Sequence, residues 1–181
     1  MLEIRSARKV FYAGQPDEKV ALDNLDLTLQ TGEFGVVIGS NGAGKSTMLN
    51  AVSGALPLDN GQIAINGDDV TDTPVHKRAK RIARVFQDPM LLDEHTAALD
   101  PRTADLVMQA TVRAVDTFKL TTLMVTHNMA HAVDYGHRVI MLDAGRVKLE
   151  IGGDEKANVT VAKLVDHFAV KTDAMMLGAG A

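Results

Sequence analysis

The stretch Gly39-Ser40-Asn41-Gly42-Ala43-Gly44-Lys45-Ser46-Thr47 constrains this chain more than any other. It fits G-x-x-x-x-G-K-[ST] at every fixed position, a phosphate-loop pattern that needs a strand before it and a helix after it. Glycines leave out side chains, so successive backbone N–H groups can curl inward around a phosphate. A helix starting near Lys45 points its positive end at the same anion. In that arrangement Lys45 reaches the β- and γ-phosphates of a nucleotide, and the Ser46 hydroxyl takes a place on Mg²⁺. The flanks agree. Phe34-Gly35-Val36-Val37-Ile38 is a short apolar run that reads as a buried strand. Met48-Leu49-Asn50-Ala51-Val52 continues as a helix that stops at Gly54.

The rest of the chain must supply a core around this unit. Its 181 residues allow one domain, expected over 1–170, with 171–181 as a loose tail. A hydrophobic share of 46% is enough for a packed interior. The formal net charge of -4 argues against a general nucleic-acid binder, so no nucleic acid is expected as partner. With no cysteine, disulfides and cysteine-ligated metals are excluded. No apolar run approaches the ~18 residues of a bilayer span. Met1-Leu2-Glu3-Ile4-Arg5 lacks the apolar core of a signal peptide. A soluble, intracellular protein is expected, with any membrane role through a partner.

Local patterns fill in the elements. Leu2 to Arg5 reads as a short strand, Gly14-Gln15-Pro16-Asp17 as a turn, and Val20–Leu22 and Leu25–Leu29 as further strand runs. Gly61 to Gly67 reads as a strand closed by an Asn-Gly hairpin turn, and Asp68-Asp69 beyond it as turn chemistry. Thr73 is expected to cap a short helix with Pro74 at its first position. The basic residues His76, Lys77, Arg78, Lys80, Arg81 and Arg84 read as a solvated face near an anionic ligand or partner. Ile82–Phe86 reads as a strand. A helix is expected from Asp100-Pro101 to about Phe118, with Leu106 or Val107, Ala110, Ala114 and Phe118 on one side. Thr122–Val125 reads as a buried strand, followed by a helix to Tyr135 that stops at Gly136. Arg138–Leu142 and Val147–Ile151 flank the turn Asp143-Ala144-Gly145-Arg146, and Thr160 opens a last helix.

Strands alternating with helices behind a phosphate loop make an α/β nucleotide fold, which binds at the carboxyl ends of its parallel strands. The ends of three later strands hold Gln87, Asp93-Glu94 and His127. Asp93 is placed to anchor Mg²⁺ and Glu94 to orient or deprotonate an attacking water. Gln87 can offer its amide oxygen to the metal or that water, and His127 can donate to the γ-phosphate. His127 and His131 are four apart, but Asn128 stands where a zinc H-E-x-x-H motif needs glutamate. Phe11 and Tyr12 supply an aromatic pair that can stack on a purine or belong to the core.

Together these segments resemble the ATP-binding subunit of an ABC transporter. The phosphate loop, Val85-Phe86-Gln87-Asp88-Pro89, Leu92-Asp93-Glu94, Ala98-Leu99-Asp100 and Val125-Thr126-His127 stand in the family's order. The stretch from Leu92 to Pro101 is especially similar to a bacterial subgroup of importer ATPases. The resemblance implies an α/β fold: a P-loop NTPase core with a mostly parallel sheet and an N-terminal antiparallel β lobe. It implies ATP and Mg²⁺ as cofactors, with Phe11 as the adenine-stacking aromatic and Tyr12 second. It implies a second ATPase subunit, identical or paired, and a membrane permease as partners. The implied location is the cytoplasm, peripheral to the inner membrane. In the family, each ATP lies between the phosphate loop of one subunit and a glycine-rich signature of the other.

That signature, Leu-Ser-Gly-Gly-Gln, does not occur here, and neither does the helical subdomain that precedes it. Only Asp88, Pro89, Met90, Leu91 and Leu92 separate Gln87 from Asp93. A return along a parallel strand covers ~17–20 Å and normally takes about a dozen residues. Three or four residues reach only ~10–14 Å. The chain is therefore expected to carry a deletion, or to lack residues, near Met90-Leu91. The resemblance implies an ATP-binding and ATP-hydrolysing subunit that powers a membrane permease; the alternative is a nucleotide-binding module without efficient hydrolysis, because the signature is missing.

Overall fold

The computed structural model describes residues 1–80 and 101–166. The strand expected over Ile82–Phe86, the residues Arg81, Arg84, Gln87, Asp93 and Glu94, the junction at Met90-Leu91 and the tail 171–181 lie outside them.

Two sheets face each other across the phosphate-loop helix. The first is antiparallel, in the order β2-β1-β4-β5, and comprises β1 (Leu2–Phe11), β2 (Lys19–Leu29), β4 (Asn60–Ile65) and β5 (Asp68–Asp69). The second runs β6-β3-β7-β8, from β3 (Phe34–Gly39), β6 (Thr122–Val125), β7 (Arg138–Asp143) and β8 (Arg146–Gly152). Here β3 is parallel to both β6 and β7, and β8 closes the order antiparallel to β7. This is the expected parallel core with an antiparallel lobe.

Period-two alternation explains how the second sheet fills two cores. On β3 and β7, Val37, Ile140 and Leu142 face the first sheet and α1 (Lys45–Ser53), joining Leu25, Leu27, Leu29, Met48 and Ala51. Phe34, Val36, Ile38, Val139 and Met141 face the other way, onto Val115, Ala132 and Leu164. Those belong to α3 (Pro101–Phe118), α4 (Met129–Asp134) and the helical residues 161–166. A strand flanked by parallel neighbours and covered on both faces has to be apolar throughout, as β3 is.

Several local expectations are corrected. Leu2–Arg5 is only the first half of β1, and the two runs before Leu29 are one strand, β2, interrupted where Asn24 takes φ 50. That irregularity moves the alternation by one, so the pattern reads as two pieces. Asp68-Asp69 is not turn chemistry but a short strand paired with β4, and the turn is Asn66-Gly67 with both residues at positive φ. Pro74, not Thr73, is the cap of α2 (Val75–Arg78), with no side-chain cap hydrogen bond. Arg78 is not on a solvated face. It is 3% exposed and donates to the carbonyl oxygens of Ala51 and Val52, at 2.8 and 2.9 Å, and to Thr71 and Thr73. It thereby closes the C-terminal end of α1, where helix carbonyls lack internal donors.

The helix over Pro101–Phe118 forms as expected, but it buries a different stripe. Met108, Val112 and Val115 meet the core, whereas Leu106, Val107 and Phe118 are exposed. Strand β6 ends the order among the described residues and is half-buried rather than fully buried.

Candidate nucleotide site

The loop between β3 and α1 is built by close backbone approach. A Cβ on Gly44 would lie 2.4 Å from the Ala21 carbonyl oxygen, and its φ is +100. Only glycine suits that place, and it lets the loop sit directly on β2. Within the loop, Ala43 N–H donates to the Ser40 carbonyl at 3.2 Å. The turn between β7 and β8 braces it from outside: Gly145 N–H donates to the Ala43 carbonyl at 3.1 Å, and the Gly145 carbonyl accepts from Asp23 N–H at 3.0 Å. Asp23 in turn accepts from Arg8 at 2.9 Å and Arg146 at 2.8 Å. The loop thus rests on β2 and the β7–β8 hairpin.

The cradle fits a polyphosphate. Helix α1 starts at Lys45 with Gly44 as its cap, and no side chain accepts a bond there. First-turn N–H groups have no intrahelical acceptor, so an uncapped start leaves donors directed at the loop mouth. Lys45 is 6% exposed, and its Nζ donates to the Gly39 and Ser40 carbonyls at 2.7 and 2.8 Å. Burial lowers its pKa below the ordinary lysine value. An ammonium so placed gains from an anion that restores the solvation it has lost. Ser40, Asn41, Gly42 and Ser46 are exposed, and Thr47 is half-buried, so the mouth is open. The exposed Ser46 hydroxyl on the first turn suits a hard cation held against phosphate oxygens.

His127 lies at the same edge. Strand β6 is in register with β3, Val125 opposite Val37, and both run the same way. Two residues on, the chains have reached His127 and Gly39 respectively. Thr126 extends the ladder by donating its N–H to the Val37 carbonyl at 3.1 Å. Its Oγ1 accepts from Asn128 N–H at 3.0 Å, and Asn128 Oδ1 accepts from Ala130 N–H at 2.9 Å. His127 is therefore held, exposed, between a buried threonine and a capped helix. The His131 ring meets Tyr135 in an edge contact, with centroids 5.6 Å apart.

Phe11 ends β1, half-buried, and pairs across the strands with Lys19. Lys9 Nζ stands 6.0 Å from the Phe11 ring centroid. Tyr12 is 63% exposed at φ 55, in the turn beyond. Of the residues expected to do chemistry, the phosphate loop and His127 come together, with Phe11 on the adjoining strand end. Gln87, Asp93 and Glu94 lie outside the described residues. Sequence reasoning missed Arg78 and the Gly145 brace, because neither follows from periodicity or a motif.

Comparison with known proteins agrees with this geometry. The sequence matches the ABC transporter family over residues 22–165. A tyrosine transport ATP-binding protein of Clostridioides difficile is 30% identical over 247 residues, covering 93% of this chain and 98% of that protein. The alignment exceeds the 181 residues of this chain, so the relative has a stretch with no counterpart here. A dimeric bacterial ABC transporter cassette superposes with TM-score 0.71 at 20% identity, over 84% of this chain and 98% of that one. CbiO1 of Clostridium perfringens, part of the ABC transporter complex cbiONQ, gives TM-score 0.71 at 19% identity, over 97% and 98%. No helix among the described residues is long and apolar enough to cross a membrane. With a family match over most of its length and a P-loop core of the same architecture, the chain belongs to the ABC transporter family, as an ATP-binding subunit of the ATPase class.

Proposed function

We propose that this chain binds Mg-ATP at the mouth of the Gly39–Thr47 loop and powers a membrane permease from the cytoplasmic face of the inner membrane. The observation that carries this is the uncapped start of α1 closed over by the buried Lys45. Phe11 stacks on the adenine, with Tyr12 second. The main-chain amides of Gly42, Ala43, Gly44, Ser46 and Thr47 hold the phosphates, and Ser40 and Asn41 shape the rim. Lys45 leaves the Gly39 and Ser40 carbonyls to bind the β- and γ-phosphates. Ser46, Gln87 and Asp93 would hold Mg²⁺, which would neutralise charge on the phosphate oxygens. Glu94 orients or deprotonates the water, and His127 donates to the γ-phosphate.

A second reading is favoured by the stretch the relative has and this chain lacks. With no signature in its own sequence, the chain alone binds ATP and turns it over slowly, and a paired subunit supplies the missing donors. Titration calorimetry with Mg-ATP tests the site. The wild-type chain is expected to bind saturably, and Lys45→Ala to lose about 10²-fold or more in affinity, as for removal of a charge-assisted phosphate contact of ~3 kcal/mol. Equal affinity in the two proteins would overturn the assignment.

A further inference from the structure

A second lysine stands beside the phosphate loop. Lys19 opens β2, exposed, in cross-strand register with Phe11. A Cβ built on Gly42 would lie 3.6 Å from Lys19 Nζ, and no other atom outside the glycine's chain neighbours comes within 4 Å of that point among the described residues. The ammonium therefore sits over the open side of the loop, between the half-buried aromatic and the phosphate cradle.

Its neighbours make the position unusual. Among the described residues the neighbouring cations are engaged: Lys9 with Asp59 at 2.7 Å, Arg8 and Arg146 with Asp23, and Lys45 with the two loop carbonyls. The Lys19 ammonium makes no hydrogen bond or ion pair among the described residues. Glu18, next to it, has its carboxylate accepting from Gly14 N–H at 2.7 Å, which ties that acid into the turn before β2. An ammonium that close to Gly42 raises the positive potential beside the uncapped start of α1.

We propose that Lys19 is a phosphate-contacting residue of this chain, reaching from the aromatic side to the nucleotide's phosphate groups across Gly42. This rests on the reading of the loop as the ATP site. Lys19 then acts on the phosphates and not on the base. It strengthens binding of ATP and ADP alike, leaves adenosine unaffected, and loses its effect as salt screens it, the Debye length falling to ~3 Å at 1 M.

The test is calorimetric titration of ATP, ADP and adenosine into wild type, Lys19→Gln, Lys19→Arg, Lys19→Glu and Lys45→Ala, at low and high salt, with melting curves for every variant. Lys19→Gln is expected to weaken ATP and ADP about tenfold, ~1.4 kcal/mol, at low salt. Lys19→Glu should weaken them further, Lys19→Arg should stay within about threefold of wild type, and the differences should shrink at high salt. Lys19→Gln binding ATP like wild type while Lys45→Ala fails would overturn the role of Lys19 and leave the loop's role standing. Equal weakening of adenosine and ATP would also overturn it, since the effect would not run through phosphate. A wild-type chain that binds no ATP overturns both readings.

Discussion

At the scale of single residues, the side chains that matter most are those whose polar groups have no alternative partner. Arg78 is the clearest case. Its guanidinium is 3% exposed and holds the Ala51 and Val52 carbonyls that end α1. Burial lowers its pKa, with Asp72 and Asp69 acting the other way, but an arginine stays charged at any working pH. Arg78→Met keeps most of the apolar stem and orphans the carbonyls, so it should cost about 2–4 kcal/mol in denaturant unfolding. Asp69 behaves differently. The hydrogen bond from Gln62, followed by those from Thr71, holds its carboxyl down at about 2, against an ordinary 3.8. The lowered folded value means its contribution is present above pH 3.8 and lost as pH falls through about 2. Asp69→Asn should therefore flatten the fall of the urea midpoint over that window, and leave it unchanged in slope above it.

At the scale of elements, the phosphate loop is a product of what touches it. The β7–β8 turn donates through Gly145 to the Ala43 carbonyl, and its own tightness comes from Ala144 and Gly145 at φ 48 and 76. A Cβ on Gly145 would meet the Ala21 carbonyl oxygen and Leu22 Cα, each at 2.9 Å. Gly145→Ala should cost about 1–3 kcal/mol in stability and also weaken ATP binding measured by calorimetry, because the displaced turn lets the loop move. A glycine seen only as a hairpin turn thus has a second role that no turn motif announces. Legibility was uneven elsewhere for the same reason. Phe34–Ile38 and Met48–Val52 were plain, because a fully apolar run and a glycine stop have few other uses. Helix α3 carries two apolar stripes, Met108-Val112-Val115 and Val107-Ala110-Ala114-Phe118, and periodicity cannot choose between them. Tertiary packing chose the first. The basic run around Arg78 misled because burial of one member depends on carbonyls 26 and 27 residues away.

At the scale of the whole molecule, the two sheets, the helix between them and the layer of helices behind reproduce the cassette architecture of the family. The parts of that architecture to which the proposed function assigns nucleotide binding lie together among the described residues: β3, the loop, α1 and the edge carrying His127. The second reading proposed above assigns completion of hydrolysis to a signature that this sequence does not contain. Phosphate release by the chain alone should therefore run roughly 10²-fold or more below that of a mixture with a subunit bearing the signature, the scale set by losing preorganised donors. Saturable ATP binding should be the same in both. The central claim, that main-chain amides of the Gly39–Thr47 loop hold the triphosphate, is tested most directly by amide hydrogen exchange of the chain with and without ATP. Slowed exchange at Gly42 through Thr47, absent with adenosine, is the result the account predicts. Exchange at these amides that ATP leaves unchanged, at concentrations that saturate binding, would contradict it.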